Sequence, residues 1–328
     1  MNRLFDLPHA RARTLASSGA PVVLGVNPVE YHGPHLSLNN DALVARGLAR
    51  ILVDALRERG QDWPWVFAGE LGVGVDPVNG PGSQPVSFAA VRQRVLSACQ
   101  QLHALGAQRV ILATFHGSPL HNLAIDAGAR WLREHGVRVF TPMNMLLHQL
   151  IRADAQDVPE AWDHVEDAVE RAASMERLPF DVHAGFLETS LALRLAPDTV
   201  GDHGAVPPCP HYEPLPHILR ASRIAARAGR DELSLELGFM ARGMAWYALR
   251  PFPGYTGYPH LAAAEAGGAL IRWLQPTLVD AAEACLLRGE PGPAPIMGWV
   301  GRATLWGRVP RGTEPAVELS PAGPRRPR

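Results

Sequence analysis

Short apolar runs alternate with helical repeats over the first part of the chain. Runs rich in β-branched residues predict four strands, at residues 20–26, 65–68, 109–114 and 137–140. The stretches between them place apolar residues at helical spacing and predict helices over 43–56, 88–105 and 122–135. Strands that alternate with helices form right-handed βαβ units. We therefore expect an α/β fold, a three-layer α/β/α sandwich with a mostly parallel central sheet.

The pattern is less regular in the second half of the chain. Residues 143–175 have helical spacing with several acids, and helical spacing returns over 262–274. Proline and histidine accumulate after residue 200, so we expect an irregular excursion over about 200–250. We predict one α/β domain over residues 1–288, followed by a flexible tail rich in proline, glycine and arginine over 289–328.

The basic residues narrow the possible chemistry. The chain has 31 Lys plus Arg, all of them arginine, beside 14 histidines. Without lysine, the chain cannot form a Schiff base, a phosphate loop that ends in lysine, a protein-kinase site or a Ser-Lys hydrolase site. A general acid or base is therefore expected among His, Asp and Glu.

Charge and cysteine content bear on partners and compartment. A net charge of -1 at pH 7 argues against nucleic acid and acidic membrane surfaces as partners. Three separated cysteines without a Cys-x-x-Cys motif argue against a disulfide framework and a thiolate zinc site. No targeting segment and no long apolar run is recognisable, so we predict a cytoplasmic protein without a membrane partner.

Four residues with metal-binding side chains follow two of the predicted strands. Glu30, His32 and Asp41 come after the first strand, and His116 comes after the third. Ligands of open α/β sheets bind outside the carboxyl ends of the strands, and carboxylates with imidazoles suit a divalent metal. Each residue alone could be a helix cap, a solvated loop residue or a core histidine. Together they favour a metal site, and the two oxygens of Asp41 could bridge two ions.

A further cluster contains His183 and Glu188. His183 precedes a turn of small residues, and Glu188 opens a helical stretch. One interpretation is a proton-carrying histidine with an acid near the metals. The other is a turn followed by a helix that carries an acid in its first turn.

Four segments of the chain resemble the creatininase family of amidohydrolases, and they occur in the order found in that family. They are Glu30-Tyr-His32 with Asp41, Phe115-His116-Gly117, His183-Ala-Gly with Glu188-Thr-Ser190, and Gly254-Tyr-Thr-Gly-Tyr-Pro259 followed by Ala263-Ala-Glu-Ala-Gly267. The resemblance implies that Glu30, His32, Asp41 and His116 are metal ligands, with Asp41 as the bridge. It also implies that His183 transfers a proton.

The same resemblance implies an activity. It predicts two divalent ions, zinc with manganese, iron or a second zinc, and no organic cofactor. The expected reaction is hydrolysis of a non-peptide or cyclic C–N amide bond in a small molecule by a metal-activated water. A homo-oligomer, commonly a hexameric ring in this family, is implied as well.

The chain departs from creatininase itself at two positions. Ser118 replaces an acid that completes the second metal site, so either Glu188, our preference, or His121 supplies the missing ligand, or only one metal binds. Val182 replaces another acid, which argues against creatinine itself as the substrate. The alternatives are a formamide deformylase or a peptidase of the same family, or a non-catalytic, metal-stabilised scaffold that has lost the second metal site.

Overall fold

Four parallel strands form the sheet of this protein. The structure is a computed structural model that describes residues 3–309. Within that range the strand order is β2-β1-β3-β4, and all pairs are parallel. The strands are β1 Val22–Asn27, β2 Val66–Gly72, β3 Arg109–Ala113 and β4 Arg138–Phe140. Each lies within a few residues of a predicted strand.

The two central strands bring two loops together. All six residues of β1 are buried, as expected for a strand covered on both faces. Gly25 of β1 pairs with Ala113, the last residue of β3. The segments that follow β1 and β3 therefore leave the sheet side by side, at its carboxyl edge.

Helices cover both faces of the sheet. The chain passes from β1 to β2 in one direction and from β2 through β3 to β4 in the other. Because such crossovers are right-handed, α2 lies on one face and α3 with α4 on the opposite face, and the predicted α/β sandwich is confirmed. The helices are α1 His9–Ala16, α2 Asn40–Glu58, α3 Phe88–Ala104, α4 Pro119–Glu134, α5 Pro142–Leu150, α6 Ala168–Glu176, α7 Phe186–Leu195, α8 Pro216–Arg227, α9 Asp231–Tyr247, α10 Ala264–Glu283 and α11 Val300–Ala303.

The second half of the chain differs from the prediction in its details. Helices α8 and α9 form a hairpin, so the expectation of an irregular segment is wrong over most of 216–247. Pro216 stands at the first position of α8, where proline is favoured because its missing N–H has no partner in a helix anyway. The helical stretch expected over 143–175 is divided into α5 and α6 by 3-10 turns, one of which begins at Pro159.

The end of the described chain packs on the domain. Ile296 and Met297 are buried, and α11 contacts α4. The remainder of the predicted flexible tail, residues 310–328, lies outside the described residues. The domain boundary at residue 288 and the cytoplasmic location stay predictions. From residue 3 to residue 309, no helix has both the length and the apolar character needed to cross a membrane.

Helix α7, which contains Glu188, packs against α10 across a glycine. A Cβ atom at Gly267 of α10 would lie 2.1 Å from the carbonyl oxygen of Ser190 and 2.8 Å from Cβ of Arg194. The two helices therefore approach so closely that no larger residue fits between them. A Cβ atom at the neighbouring Gly268 would meet only Nη1 of Arg272, at an ordinary contact distance of 3.5 Å.

We predict that Gly267→Ala destabilises the protein. The added methyl group must push α7 and α10 apart, which should lower the free energy of unfolding by about 1–3 kcal/mol. Gly268→Ala is the matched control, and it should be neutral or stabilising by up to about 1 kcal/mol because alanine has the higher helix propensity. Urea unfolding followed by circular dichroism measures both values. Equal stability of the two variants would contradict the proposed packing.

Candidate metal centre

The four predicted metal ligands are all buried and converge at the carboxyl edge of the sheet. Nδ1 of His116 lies 2.8 Å from Oε2 of Glu30 and 3.6 Å from Oδ2 of Asp41. We call Glu30, Asp41 and His116 the first donor group. It joins the loops after β1 and β3 to the first turn of α2.

A second donor group lies on the other side of Asp41. Nε2 of His32 lies 3.2 Å from Oδ1 of Asp41 and 3.2 Å from Oε1 of Glu188. The second donor group therefore consists of His32, Asp41 and Glu188. Asp41 belongs to both groups and turns one carboxylate oxygen toward each histidine.

The two histidines are oriented by backbone carbonyls. Nδ1 of His32 is 3.0 Å from the carbonyl oxygen of Glu30, and Nε2 of His116 is 2.9 Å from that of Val75. A carbonyl oxygen only accepts, so each of these nitrogens carries the proton. The opposite nitrogen of each ring then faces the carboxylates, to which it donates when the ring is charged, and in the neutral ring its lone pair is free for a metal, as in histidines that bind metals.

Backbone and amide N–H groups hold two of the carboxylates. Oε1 of Glu30 accepts from the N–H of Val78 at 2.6 Å, and Oε2 of Glu188 accepts from the N–H of Ala184 at 2.6 Å. Oε1 of Glu188 also accepts from Nδ2 of Asn40 at 2.9 Å. Oε2, the other oxygen of Glu30, faces His116.

Unsatisfied oxygens in this cluster match the needs of a cation. Oε2 of Glu30 and Oδ2 of Asp41 are buried, and neither has a permanent hydrogen-bond donor among residues 3–309, since Nδ1 of His116, at 2.8 Å and 3.6 Å, donates only when the ring is charged. Buried carboxylate oxygens without partners are costly unless a proton or a cation neutralises them. Oxygen and imidazole donors at one point suit zinc, manganese or iron, so the residues present fit a divalent metal.

In the first donor group, proton affinities are strongly perturbed. Burial alone would raise the pKa of Glu30, but the charge of His116 lowers it well below its usual range. Burial alone would lower the pKa of His116, but the charge of Glu30 raises it to about 9. The group therefore favours a carboxylate beside a cation, and a bound metal would replace the proton on the imidazole.

The second donor group has the same character. Burial alone would raise the pKa of Glu188, but the charge of His32 lowers it to about 2. Burial, together with the nearby charge of Glu30, raises the pKa of Asp41 to about 7 in spite of His32. Three carboxylates thus compete for two imidazolium partners, so the cluster attracts additional positive charge.

His183 lies beside the second donor group. Its ring centroid is 4.5 Å from that of His32, and its Nδ1 is 4.0 Å from Oε1 of Glu30. Nε2 is 2.9 Å from the carbonyl oxygen of Tyr31, to which it donates. Burial and the charge of His32 lower the pKa of His183. The neutral ring is therefore favoured, with the Nδ1 lone pair turned toward the site.

Sequence reasoning missed the residue that holds His183 in place. The buried Thr256 accepts from the N–H groups of Val182 and His183 at 3.0 Å each and donates to the carbonyl oxygen of His183. Thr256 lies in the Gly254–Pro259 motif, which was noted without a role. A buried threonine in that motif was the only available signal, and nothing in the sequence connects it to residue 183.

The turn after His183 depends on close packing. Ala184 has φ +47°, an uncommon conformation for a residue with a side chain. A Cβ atom at Gly185 would lie 1.9 Å from Oδ1 of Asp181, so only glycine fits there. Asp181 also accepts from the N–H of Leu187 at 3.1 Å, which ties this turn to the start of α7.

His121 and Ser118 do not complete the second donor group. Nδ1 of His121 accepts from the N–H of Val75 at 3.4 Å, and Nε2 lies 3.0 Å from the carbonyl oxygen of Val26. Both nitrogens are thus engaged by the backbone. Ser118 is the N-cap of α4, and its hydroxyl donates to Asp76 at 3.4 Å. Of the two candidates for the missing ligand, Glu188 and His121, only Glu188 reaches His32.

An apolar wall borders the site. Its buried members are Val78, Tyr212, Ala245, Trp246 and Phe252, and Phe180 packs against them. Val78 is the residue whose N–H binds Glu30, and the ring of Trp246 lies 5.6 Å from that of His183. Helix α9, where an irregular segment was expected, therefore lines one side of the candidate centre.

Comparison with known proteins identifies relatives in sequence and in fold. The chain is 26% identical over 260 residues to creatinine amidohydrolase from Pseudomonas putida, across 73% of this chain and 92% of that protein. A Zn-Zn type mutant creatininase matches with a TM-score of 0.54 and 20% identity, covering 86% of this chain and 98% of the other. Creatininase Mn matches with a TM-score of 0.52 and 19% identity, over the same shares.

The family assignment rests on a match over most of the chain. The creatininase family model, described as creatinine amidohydrolase, matches residues 6–282 of the 328. That range includes both donor groups and His183. The chain therefore belongs to the creatininase family, and the prediction of a metal-dependent hydrolase acting on carbon-nitrogen bonds other than peptide bonds is confirmed.

Proposed function

We propose that the centre holds two divalent cations. Glu30, Asp41 and His116 would bind the first, and His32, Asp41 and Glu188 the second. The observation that carries this proposal is Asp41, whose two oxygens face different histidines at 3.2 Å and 3.6 Å. A structure of a similar protein described as Zn-Zn type supports the same number of ions.

Glu188 takes the place of the acid that Ser118 lacks. From sequence we grouped Glu188 with the catalytic residues and preferred it as the substitute ligand. Its 3.2 Å distance to Nε2 of His32 supports the role of ligand. The hydrogen bonds from Asn40 and Ala184 leave its orientation little freedom, as is usual for metal-binding carboxylates.

The proposed reaction is hydrolysis of an amide bond. Divalent ions held by these residues would polarise the substrate carbonyl and lower the pKa of a water. His183 accepts a proton at Nδ1 as that water adds to the carbonyl carbon, and it donates the proton to the nitrogen as the C–N bond breaks. The carbonyl of Tyr31 keeps the ring in the required tautomer, and Thr256 fixes its backbone.

The substrate class follows from the relatives. We propose a non-peptide or cyclic amide of a small molecule, similar to creatinine in its C–N bond. One similar solved structure is a mutant creatininase complexed with creatine, with a TM-score of 0.53. Formamides and peptide amides are the alternatives to include in a substrate panel. The oligomeric ring implied by the family stays a prediction.

A non-catalytic scaffold is less well supported. That alternative was motivated by the loss of the acid at Ser118 and assumed a missing second metal site. Glu188 supplies a carboxylate at that point, and His183 presents an unshared lone pair beside it. A protein that used the metals for stability alone would need Glu188 as a ligand, but it would have no need of the lone pair of His183.

We predict that each donor group can be emptied separately. Glu188→Gln removes a charged ligand from the second group, and His116→Ala removes the imidazole from the first. Each variant should retain about one ion per chain where the wild type retains about two. Metal analysis by mass spectrometry after loading with zinc or manganese gives the counts, with His217→Ala on the exposed face of α8 as control. A wild type that binds one ion would refute the two-ion proposal.

We predict a different result for His183→Ala. If His183 carries a proton, the variant should keep its full metal content while kcat falls about 10²–10⁴-fold on any amide that the wild type hydrolyses. If His183 is instead a ligand, metal content should fall with activity. Measuring both quantities on the same preparation separates the two roles.

A further inference from the structure

Two arginines pack against aromatic rings of the apolar wall. The guanidinium carbon of Arg177 is 3.8 Å from the ring centroid of Phe180 and 5.3 Å from that of Tyr212. The guanidinium carbon of Arg242 is 5.9 Å from the Phe180 centroid. Two positive charges thus share one aromatic ring, although like charges repel each other.

Neither guanidinium has an acidic partner within the described part of the chain. Arg177 makes one long hydrogen bond, from Nη2 to the carbonyl oxygen of Tyr212 at 3.5 Å. Nε of Arg242 is buried and has no hydrogen-bond partner. A buried guanidinium is usually paired with an acid, because burial of a charge without a partner is costly. Burial also lowers the pKa of Arg242.

The acid that follows Phe180 and the acid on α9 before Arg242 both have other partners. Asp181, which follows Phe180, accepts from the N–H of Leu187 and packs against Gly185. Glu236, on α9, accepts from the N–H of Met297 at 2.6 Å and from Nε1 of Trp299 at 2.8 Å. The two guanidinium groups are therefore available to an external anion.

The apolar wall connects these arginines to the metal centre. Arg242 precedes Trp246 by one turn of α9, roughly 6 Å along the helix axis. Trp246 lies beside His183, and Phe180, whose ring both arginines approach, is three residues before His183. A small molecule with its amide at the donor groups could lie along the wall and extend toward both guanidiniums.

We propose that Arg177 and Arg242 bind a carboxylate on the substrate, so that the preferred substrates are amides that carry an acidic group. This inference rests on the proposed function for the position of the amide bond, but not for the recognition of the anion. Arginine suits the role because its planar fork can donate two parallel hydrogen bonds to one carboxylate.

Binding of matched acids and carboxamides tests the proposal. The probes are N-acetylglycine, N-acetyl-β-alanine and 4-acetamidobutanoate, in which the carboxylate is progressively farther from the amide, together with the primary carboxamide of each. Calorimetric titration of the zinc-loaded protein should find at least one acid that binds on the order of tenfold more tightly than its carboxamide. The preference should fall to nearly onefold in Arg242→Gln and in Arg177→Gln.

Arg223→Gln is the control, because Arg223 is an exposed arginine on the neighbouring helix α8. It should keep the wild-type preference. If Arg242→Gln does not fold, Arg242→Lys and Arg177→Gln answer the same question, and the lysine variant should keep only part of the preference. Wild-type protein that binds every acid and carboxamide equally would overturn the proposal, as would a preference that persists in both arginine variants.

Metal content and hydrolysis, measured on the same samples, separate this inference from the proposed function. If an arginine variant loses the preference for acids but keeps its metal content and its hydrolysis of carboxamides, then anion recognition is separate from metal binding and hydrolysis. A protein that binds no metal and hydrolyses nothing, yet still prefers acids through these arginines, would refute the proposed function alone.

Discussion

Three buried carboxylates in one small volume dominate this structure. Glu30, Asp41 and Glu188 are each within 3.6 Å of a histidine nitrogen, and water is largely excluded from all three. Their mutual repulsion in a medium of low polarity must be offset by positive charge. The two histidines provide only part of it. The demand for further cations explains why Oε2 of Glu30 and Oδ2 of Asp41 face only His116 and why backbone carbonyls hold each imidazole with its second nitrogen turned inward.

The fold places the donor atoms close together because rigid elements meet at the carboxyl edge of the sheet. The central strands β1 and β3 deliver the loops that contain Glu30 and His116, and the first turn of α2 supplies Asp41. Helix α7 adds Glu188 from the other side, at a distance set by its close contact with α10 at Gly267. Displacement of any one of these elements would separate donor atoms by more than a metal can span, so packing far from the site controls its chemistry.

The basic residues around the site are of two kinds. His32, His116 and His183 lie at the centre, where a neutral or charged imidazole can exchange a proton or accept a metal. Arg177 and Arg242 rest against aromatic rings of the apolar wall. Trp246 belongs to that wall and contacts His183. The ring of His183 thus lies between those of His32 and Trp246 in a chain of ring contacts that begins at the donor groups.

The sequence by itself determined the α/β class, the four strands, and the candidates Glu30, His32, Asp41, His116, His183 and Glu188, because strand and helix periodicity and the residues after strand ends are local properties. It could not decide between Glu188, His121 and a single metal, since the choice depends on distances between segments far apart in the chain. Only the tertiary structure engaged both nitrogens of His121 with the backbone and brought Glu188 to His32. The proline- and histidine-rich stretch before them hid helices α8 and α9, although these two helices pack on each other. The contact of Trp246 with His183 could not be predicted, because it depends on where this hairpin lies against a loop far away in the chain.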